Sequence, residues 1–333
     1  MTGLRPRRRA APPRAHRWSP LALASLACAV AAGALADCGS READVERAQA
    51  ELARATAEHA AETVGTARAG GAGRLTRLLA PPAAPPADDA PGPLGGLALA
   101  GGDLVVADAR AIYRVAGGKT SLVATVDDRA QGGDRMPLVL AATSAGTLYV
   151  ASPDRGEAWR VEPGAHAGVR VATGLARPTA LAALPDGSLA VLESSSGRIT
   201  RVDREGKLEL VASGLSSPVG LGIHGGRFFV AEASGGRVVA ARPGGPPAVV
   251  ASGFATPVGA TVDRAGHAIV AEGATGSVLR AESDATRTEL ASGLALRRSA
   301  GGEPVPVALA VDETGAILVV APGDGSVWRI DAD

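Results

Sequence analysis

From about residue 94 onward, short apolar runs alternate with Gly-, Pro- and Asp-rich breaks, and the whole pattern recurs down the chain. The clearest unit is Pro218 to Val238, PVGLGIHGGRFFVAEASGGRV. Pro178 opens PTALAALPDGSLAVLESSSGRI, and Pro257 opens PVGATVDRAGHAIVAEGATGSV. Looser copies begin at Pro93, Pro137 and Pro304. A period of roughly 40 residues marks a propeller or a solenoid, in which each unit buries its faces only against its neighbours.

Each repeat predicts four short strands. The first follows the opening proline: Leu94 to Ala100, Leu138 to Thr143, Thr179 to Leu184, Val219 to Ile223, Val258 to Val262 and Val305 to Val311. The second carries an apolar core: Leu104 to Ala107, Leu148 to Ala151, Leu189 to Leu192, Phe228 to Ala231, Ala268 to Ala271 and Ile317 to Val320. In the third, apolar positions alternate around an arginine, Arg114, Arg160, Arg201, Arg280 or Arg329; only Val238 to Ala241 lacks it. The fourth ends each repeat, as in Leu208 to Ala212 and Thr288 to Ala291. Breaks such as Pro185-Asp186-Gly187-Ser188 and Asp312-Glu313-Thr314-Gly315 are hairpin signals, because Asp bonds nearby backbone N–H groups and Gly accepts φ > 0.

The last repeat runs out at Asp331, leaving no residues for a fourth strand. Arg74 to Ala80, RLTRLLA, stands before the first repeat and has the right length. It is expected to become the outer strand of the last blade, joining the chain ends into a ring without exposed sheet edges. The fold class is therefore all-β: a six-bladed β-propeller of four-stranded blades, preceded by a signal or anchor segment and a spacer helix. A right-handed β-solenoid would leave the missing last strand and the spare first one unexplained. The expected domains are residues 1–38, a signal peptide or lipoprotein signal; 39–69, a helical spacer; 70–93, the closing strand and a Pro-rich connector; and 94–333, the propeller.

The N-terminal residues carry a different pattern. A basic head with Arg5, Arg7, Arg8, Arg9, Arg14 and Arg17 precedes the apolar run Leu21 to Ala36. That run is short for a membrane span, which needs about 20 residues, and suits a signal-peptide core. Ala34-Leu35-Ala36 is a cleavage pattern; Leu35-Ala36-Asp37-Cys38 resembles a bacterial lipobox, with Asp37 where that motif wants a small residue. A cleaved signal, a lipid anchor on Cys38 and an uncleaved anchor all export the body. Ser40 to Val64 lacks Gly and Pro and reads as a helix of ~37 Å, with a weak heptad stripe at Val45, Leu52 and His59. A solvated spacer fits it better than a coiled coil, since Ala occupies most seam positions.

Composition narrows the chemistry. The six Arg of the head, taken from 34 bases, leave 28 against 34 acids in the body, a net charge of −6. No nucleic acid is expected as a partner, since phosphate binding needs clustered basic surface. Cys28 and Cys38 are the only cysteines, so the propeller holds no disulfide. Aromatics are 2% of the chain, and the core must be built from Val, Leu, Ala and Ile.

Gly214-Leu215 before Pro218, Gly220-Leu221, then Phe228-Phe229-Val230-Ala231-Glu232 and Gly236-Arg237-Val238, form a combination that resembles NHL-repeat propellers. It is also similar to the SMP-30/gluconolactonase-like superfamily, and particularly to exported bacterial propellers of the ScyD/ScyE type. The resemblance covers about Arg74 to Asp333 and implies fold more than activity. It also implies what to look for: gluconolactonase-like relatives build a metal site from Glu, Asp and Asn, and propeller lyases use His in the ring.

Asn is absent from this sequence, so the first of those sites does not carry over. His166, His224 and His267 fall in predicted turns at unlike repeat positions, without metal-ligand spacing. One polar column remains. Asp108, Glu193, Glu232 and Glu272 sit at the ends of second strands, with Ser152 and Pro322 in the other two repeats, each followed two residues later by Asp154 or Asp324. Gathered on one face, such acids would hold a divalent cation such as Ca²⁺ or a cationic ligand; alternatively, each ties down its own blade's turn. No catalytic residue is singled out: there is no G-x-S-x-G elbow and no cysteine nucleophile in the body. The expected function is a binding scaffold whose loop face takes a protein, peptide or envelope glycan. The alternative is a lactonase-like metal-dependent hydrolase or lyase. Membrane fractionation of Cys38→Ser separates the anchoring modes: release from the membrane is the outcome of lipidation, unchanged fractionation that of cleavage after Ala36.

Overall fold

A computed structural model describes residues 67–70, 73–80, 94–125, 136–283, 286–297 and 305–331. The signal segment, Cys38 and the spacer helix of residues 40–64 lie outside the described residues. Two strands precede the repeats, β1 (Arg68–Ala69) and β2 (Arg74–Leu79). Blade 1 is β3 (Gly96–Ala100), β4 (Asp103–Ala107), β5 (Ala111–Ala116) and β6 (Lys119–Thr125). Blade 2 is β7 (Val139–Ala142), β8 (Leu148–Ser152), β9 (Glu157–Val161) and β10 (Val169–Ala172). Blade 3 is β11 (Pro178–Ala183), β12 (Leu189–Glu193), β13 (Arg198–Val202) and β14 (Leu208–Ser213). Blade 4 is β15 (Pro218–His224), β16 (Arg227–Glu232), β17 (Arg237–Ala241) and β18 (Ala248–Ser252). Blade 5 is β19 (Pro257–Val262), β20 (Ala268–Glu272), β21 (Ser277–Ala281) and β22 (Arg287–Ser292), and blade 6 holds β23 (Leu309–Val311), β24 (Ile317–Ala321) and β25 (Ser326–Asp331). All pairings are antiparallel, and the fold is a six-bladed, all-β propeller of four-stranded blades.

The ring closes as the strand count requires. β2 pairs with β25 from Arg74↔Asp331 to Leu79↔Val327, completing blade 6 as its outer strand. Arg77 lies over the Trp328 ring, 5.5 Å from its centre, across this pairing. Blade 5 differs from expectation by a fifth strand. Arg68 and Ala69, assigned above to the spacer, pair with Ser292 and Ala291 of β22. The Gly70 N–H then donates to the Leu290 carbonyl at 2.7 Å. A Cβ at Gly70 would meet the Glu289 carbonyl oxygen at 1.7 Å, so only glycine passes there. The chain thus fastens the outer edges of blades 5 and 6 before the first repeat begins.

Hydrophobic clusters fill the gaps between consecutive blades. Between blades 3 and 4, Leu192, Ile199 and Leu215 meet Leu221, Phe228 and Val230. Between blades 5 and 6, Ile269 and Leu290 meet Ile317, Trp328 and Ile330. Between blades 6 and 1, Leu318 and Val327, with Leu79 of β2, meet Leu94, Leu97 and Val106. Because both faces of each second strand are covered, β8, β12, β20 and β24 are buried along their whole length. The Ala- and Val-rich composition is what such close sheet-on-sheet packing admits.

One strand is shorter than its pattern suggests. Residues 305–311 were expected to pair throughout, but β23 begins only at Leu309. Pro306 has no N–H for a ladder, and the Val307 N–H donates to Val258 of blade 5 at 2.7 Å instead. The hairpin chemistry is as expected: Asp186 Oδ1 accepts from the Ser188 N–H at 2.9 Å, and Asp312 Oδ1 from the Thr314 N–H at 2.8 Å. Deleting Arg74–Leu79 leaves the outer edge of β25 unpaired and removes Leu75 and Leu79 from the clusters that hold Val327, Trp328 and Ile330. Scanning calorimetry is expected to show the folding transition lost or lowered by more than about 10 °C; an unchanged transition would refute closure by β2.

Candidate functional site

On one face of the ring, each first strand begins and each second strand ends. There the connector from one blade meets the turn between the second and third strands of both neighbouring blades. In the connector Gly214-Leu215-Ser216-Ser217-Pro218, the Leu215 N–H donates to the Gly197 carbonyl of blade 3 at 3.0 Å. Ser216 N–H donates to Glu232 Oε1 of blade 4 at 2.6 Å, and the Ala233 N–H to the Ser217 carbonyl at 3.0 Å. The same stitch joins Leu175 to Gly156, Phe254 to Gly236 and Leu294 to Gly276, each at 2.9 Å. These turn glycines have φ between 55° and 67°, and a Cβ on Gly236 would meet the Phe254 carbonyl oxygen at 2.3 Å.

The acidic column belongs to this stitch. Glu193 and Glu232 are 0% exposed, Glu272 4% and Asp108 5%. Glu193 accepts from the Ala176 N–H, from Arg198 Nε at 2.8 Å and Nη2 at 3.1 Å, and from the Thr200 hydroxyl. Glu232 accepts from the Ser216 N–H and Arg237 Nε. Glu272 accepts from the Thr256 N–H at 3.2 Å. Asp108 takes the N–H groups of Arg110 and Ala111 at 2.7 and 2.8 Å, with the Tyr113 hydroxyl at 3.3 Å. Burial pushes the Glu193 carboxyl upward, but hydrogen bonds from Arg198, Thr200 and Ala176, with the Arg198 charge, hold it below its ordinary value.

The sheet register corrects one alignment. Ala321 stands opposite Ser326 as Glu193 stands opposite Arg198, so Ala321 and not Pro322 holds the column's place in blade 6. Asp324 turns to its own loop, accepting from the Ser326 N–H at 2.9 Å, and Asp154 accepts from Met136 N–H at 3.1 Å. Among the described residues, no three His, Cys, Asp or Glu side chains come together to hold a metal ion. The histidines of the described residues lie on the opposite face: His224 ends β15, His267 bonds Asp263 at 3.0 Å, and His166 bonds the Val123 carbonyl at 3.2 Å. The third-strand arginines are tied to surface acids, Arg114 to Asp103, Arg160 to Glu162, Arg201 to Asp186, Arg280 to Glu282 and Arg329 to Asp331.

At the centre of the loop face the channel opens into a cavity of about 560 Å³, mouth included. Leu97, Leu140, Leu181, Leu221, Ala260 and Leu309 contribute one residue per blade, and Met136, Pro137, Pro153 and Pro306 form part of the rim. Among the described residues, Thr179 is the one lining side chain with a hydroxyl, and no acid, base or histidine lines the cavity.

Two features escape the repeat pattern. Arg177 and Ser217, each just before a connector proline, have φ of 57° and 48°. Left-handed backbone on a non-glycine residue costs about 1–3 kcal/mol. It lets the N–H two places before the proline reach the glutamate; β-branched Thr256 avoids that conformation, and there the N–H directly before the proline donates instead. The second feature is the partnership of Glu193 with Arg198 and of Glu232 with Arg237. Its only sequence signal is the Arg five residues after the Glu in those two repeats.

The site therefore belongs to a six-bladed propeller whose channel mouth is apolar among the described residues, and solved propellers superpose on it. A gluconolactonase from Xanthomonas campestris superposes with a TM-score of 0.58 at 19% identity, over 79% of this chain and 91% of that one. A virginiamycin B lyase from Staphylococcus aureus, solved with quinupristin, gives 0.53 at 12% identity, over 78% and 100%. A streptogramin B lyase gives 0.55 at 12%, over 78% and 98%. These likenesses establish the fold. Neither a protein-family profile nor a curated protein sequence matches the chain.

Glu232→Ala leaves Arg237 and the Ser216 N–H without their buried acceptor. The expected cost is about 2–3 kcal/mol, below that of a fully buried pair because Arg237 is 39% exposed. Thermal melting is expected to fall by about 5–10 °C. Glu193 also makes the fold acid-sensitive. With its folded pKa lowered, its stabilisation is present above the unfolded value near 4.5 and is lost as pH falls through the folded value. Denaturant melts of Glu193→Gln are expected to converge with wild type below that range; a constant difference from pH 7 to pH 2 would contradict the assignment.

Proposed function

We propose that this protein is a non-enzymatic recognition scaffold, exported and of the NHL-like kind its repeats resemble, which takes a ligand on the loop face. One observation carries the reading: Glu193 and Glu232 are engaged in holding connectors and arginines, Glu272 a connector and Asp108 its own turn, while the described lining of the channel mouth is apolar. A carboxylate already accepting two or more short hydrogen bonds and an arginine has little left for a metal or a substrate proton. What remains is a broad rigid surface with a hydrophobic centre, which suits binding.

The second reading is a metal-assisted lactonase-like hydrolase or lyase, and the gluconolactonase and lyase neighbours favour it. Asn is absent, the described histidines sit on the opposite face, and an enzyme of this kind would have to rearrange the acidic column to bind its ion. Calorimetric titration of Ca²⁺ and Zn²⁺ into the full-length protein separates the two. The scaffold reading expects no saturable binding at millimolar metal. Tight binding abolished by Glu232→Gln would overturn it.

A further inference from the structure

The loop face presents its two kinds of charge at different depths. The column acids are buried, whereas arginines in the same loops reach solvent. Arg198 and Arg237 are 38% and 39% exposed above Glu193 and Glu232. Arg198 uses Nε and Nη2 on Glu193, and Arg237 uses Nε on Glu232. Among the described residues, Arg198 Nη1 and both Nη groups of Arg237 have no partner. Arg110, beside Asp108, and Arg297, in the connector to blade 6, are exposed and form no ion pair among the described residues. Exposed Ser195, Ser196, Ser216, Ser217 and Ser234 stand in the same turns of blades 3 and 4.

Although the body is net acidic and Asp154 and Asp324 stand in the turns of blades 2 and 6, the described turns of blades 3 and 4 are therefore read by a ligand as guanidinium and hydroxyl donors beside an apolar cavity. Resting on the scaffold reading, we infer that the loop face selects an anionic partner: an acidic peptide segment whose aliphatic side chain enters the channel mouth. A guanidinium held by a buried carboxylate is positioned in advance, with its remaining N–H groups directed away from that carboxylate. Such a fork favours carboxylates of fixed direction. The strained backbone at Arg177 and Ser217 lies in the same two connectors, where over-determined geometry fixes the donors. The anchored arginines and the hydroxyls are concentrated on blades 3 and 4, which favours an oriented chain over a uniformly charged membrane plane.

The test uses the full-length protein and three dodecapeptides: repeating Asp-Glu-Leu-Leu, its Asn-Gln-Leu-Leu counterpart and Lys-Arg-Leu-Leu. Titration calorimetry is expected to show binding of the acidic peptide alone, weakening as salt rises. Arg110→Gln with Arg297→Gln, exposed positions outside the glutamate stitch, is expected to weaken it about five- to ten-fold at unchanged melting temperature. Equal binding of the neutral or basic peptide overturns the anionic selectivity and leaves the scaffold reading standing. Binding by the double variant at wild-type strength also overturns it, as does binding of phosphatidylglycerol vesicles in place of the peptide. If no peptide binds, the inference falls, and the metal titration decides the scaffold reading independently.

Discussion

No blade of this propeller covers its own faces; each gap is filled by side chains from two neighbouring sheets, and the ring must close for every gap to be dry. That constraint explains why the first described strands serve the last two blades. β2 supplies the outer strand of blade 6, and β1 fastens blade 5 beside it. The structure is held by circularity, and its stability cannot be assigned to a single blade.

The loop face answers the same constraint locally. A connector must cross from the outer strand of one blade to the inner strand of the next, exposing backbone polar groups near a buried interface. The repeated Gly-Leu-x-x-Pro segment satisfies them in both directions, with a glycine carbonyl behind and, in blades 3 to 5, a buried glutamate ahead. Arg198 and Arg237 balance two of those glutamates and carry positive charge to the surface. Structural need and surface character are thus linked: burying the acids is what leaves the arginines facing solvent.

Blade number, strand order and ring closure were legible because each repeat carries its own turn signals and because one missing strand matched one spare one. The acidic column was legible as a column; one of its two readings had each acid tie down its own blade's turn, which Asp108 does, whereas Glu193, Glu232 and Glu272 hold the incoming connector. What the sequence could not rank was burial depth, since Glu193 and Glu232 look like surface acids until the neighbouring connector is folded over them. The shortening of β23 follows from Pro306 but depends on Val307 finding a partner in blade 5. The extra pairing of Arg68 and Ala69 had no signal, because two residues set no period.

The central claim is that the column acids are consumed by the fold, and carbon-detected NMR titration of the Glu193 and Glu232 side-chain carboxyls tests it most directly. The account predicts that Glu193 titrates below the ordinary glutamate value of 4.5 and that neither resonance responds to millimolar Ca²⁺. A Glu193 carboxyl titrating at or above that value, or saturable shifts of both resonances with Ca²⁺, would contradict it.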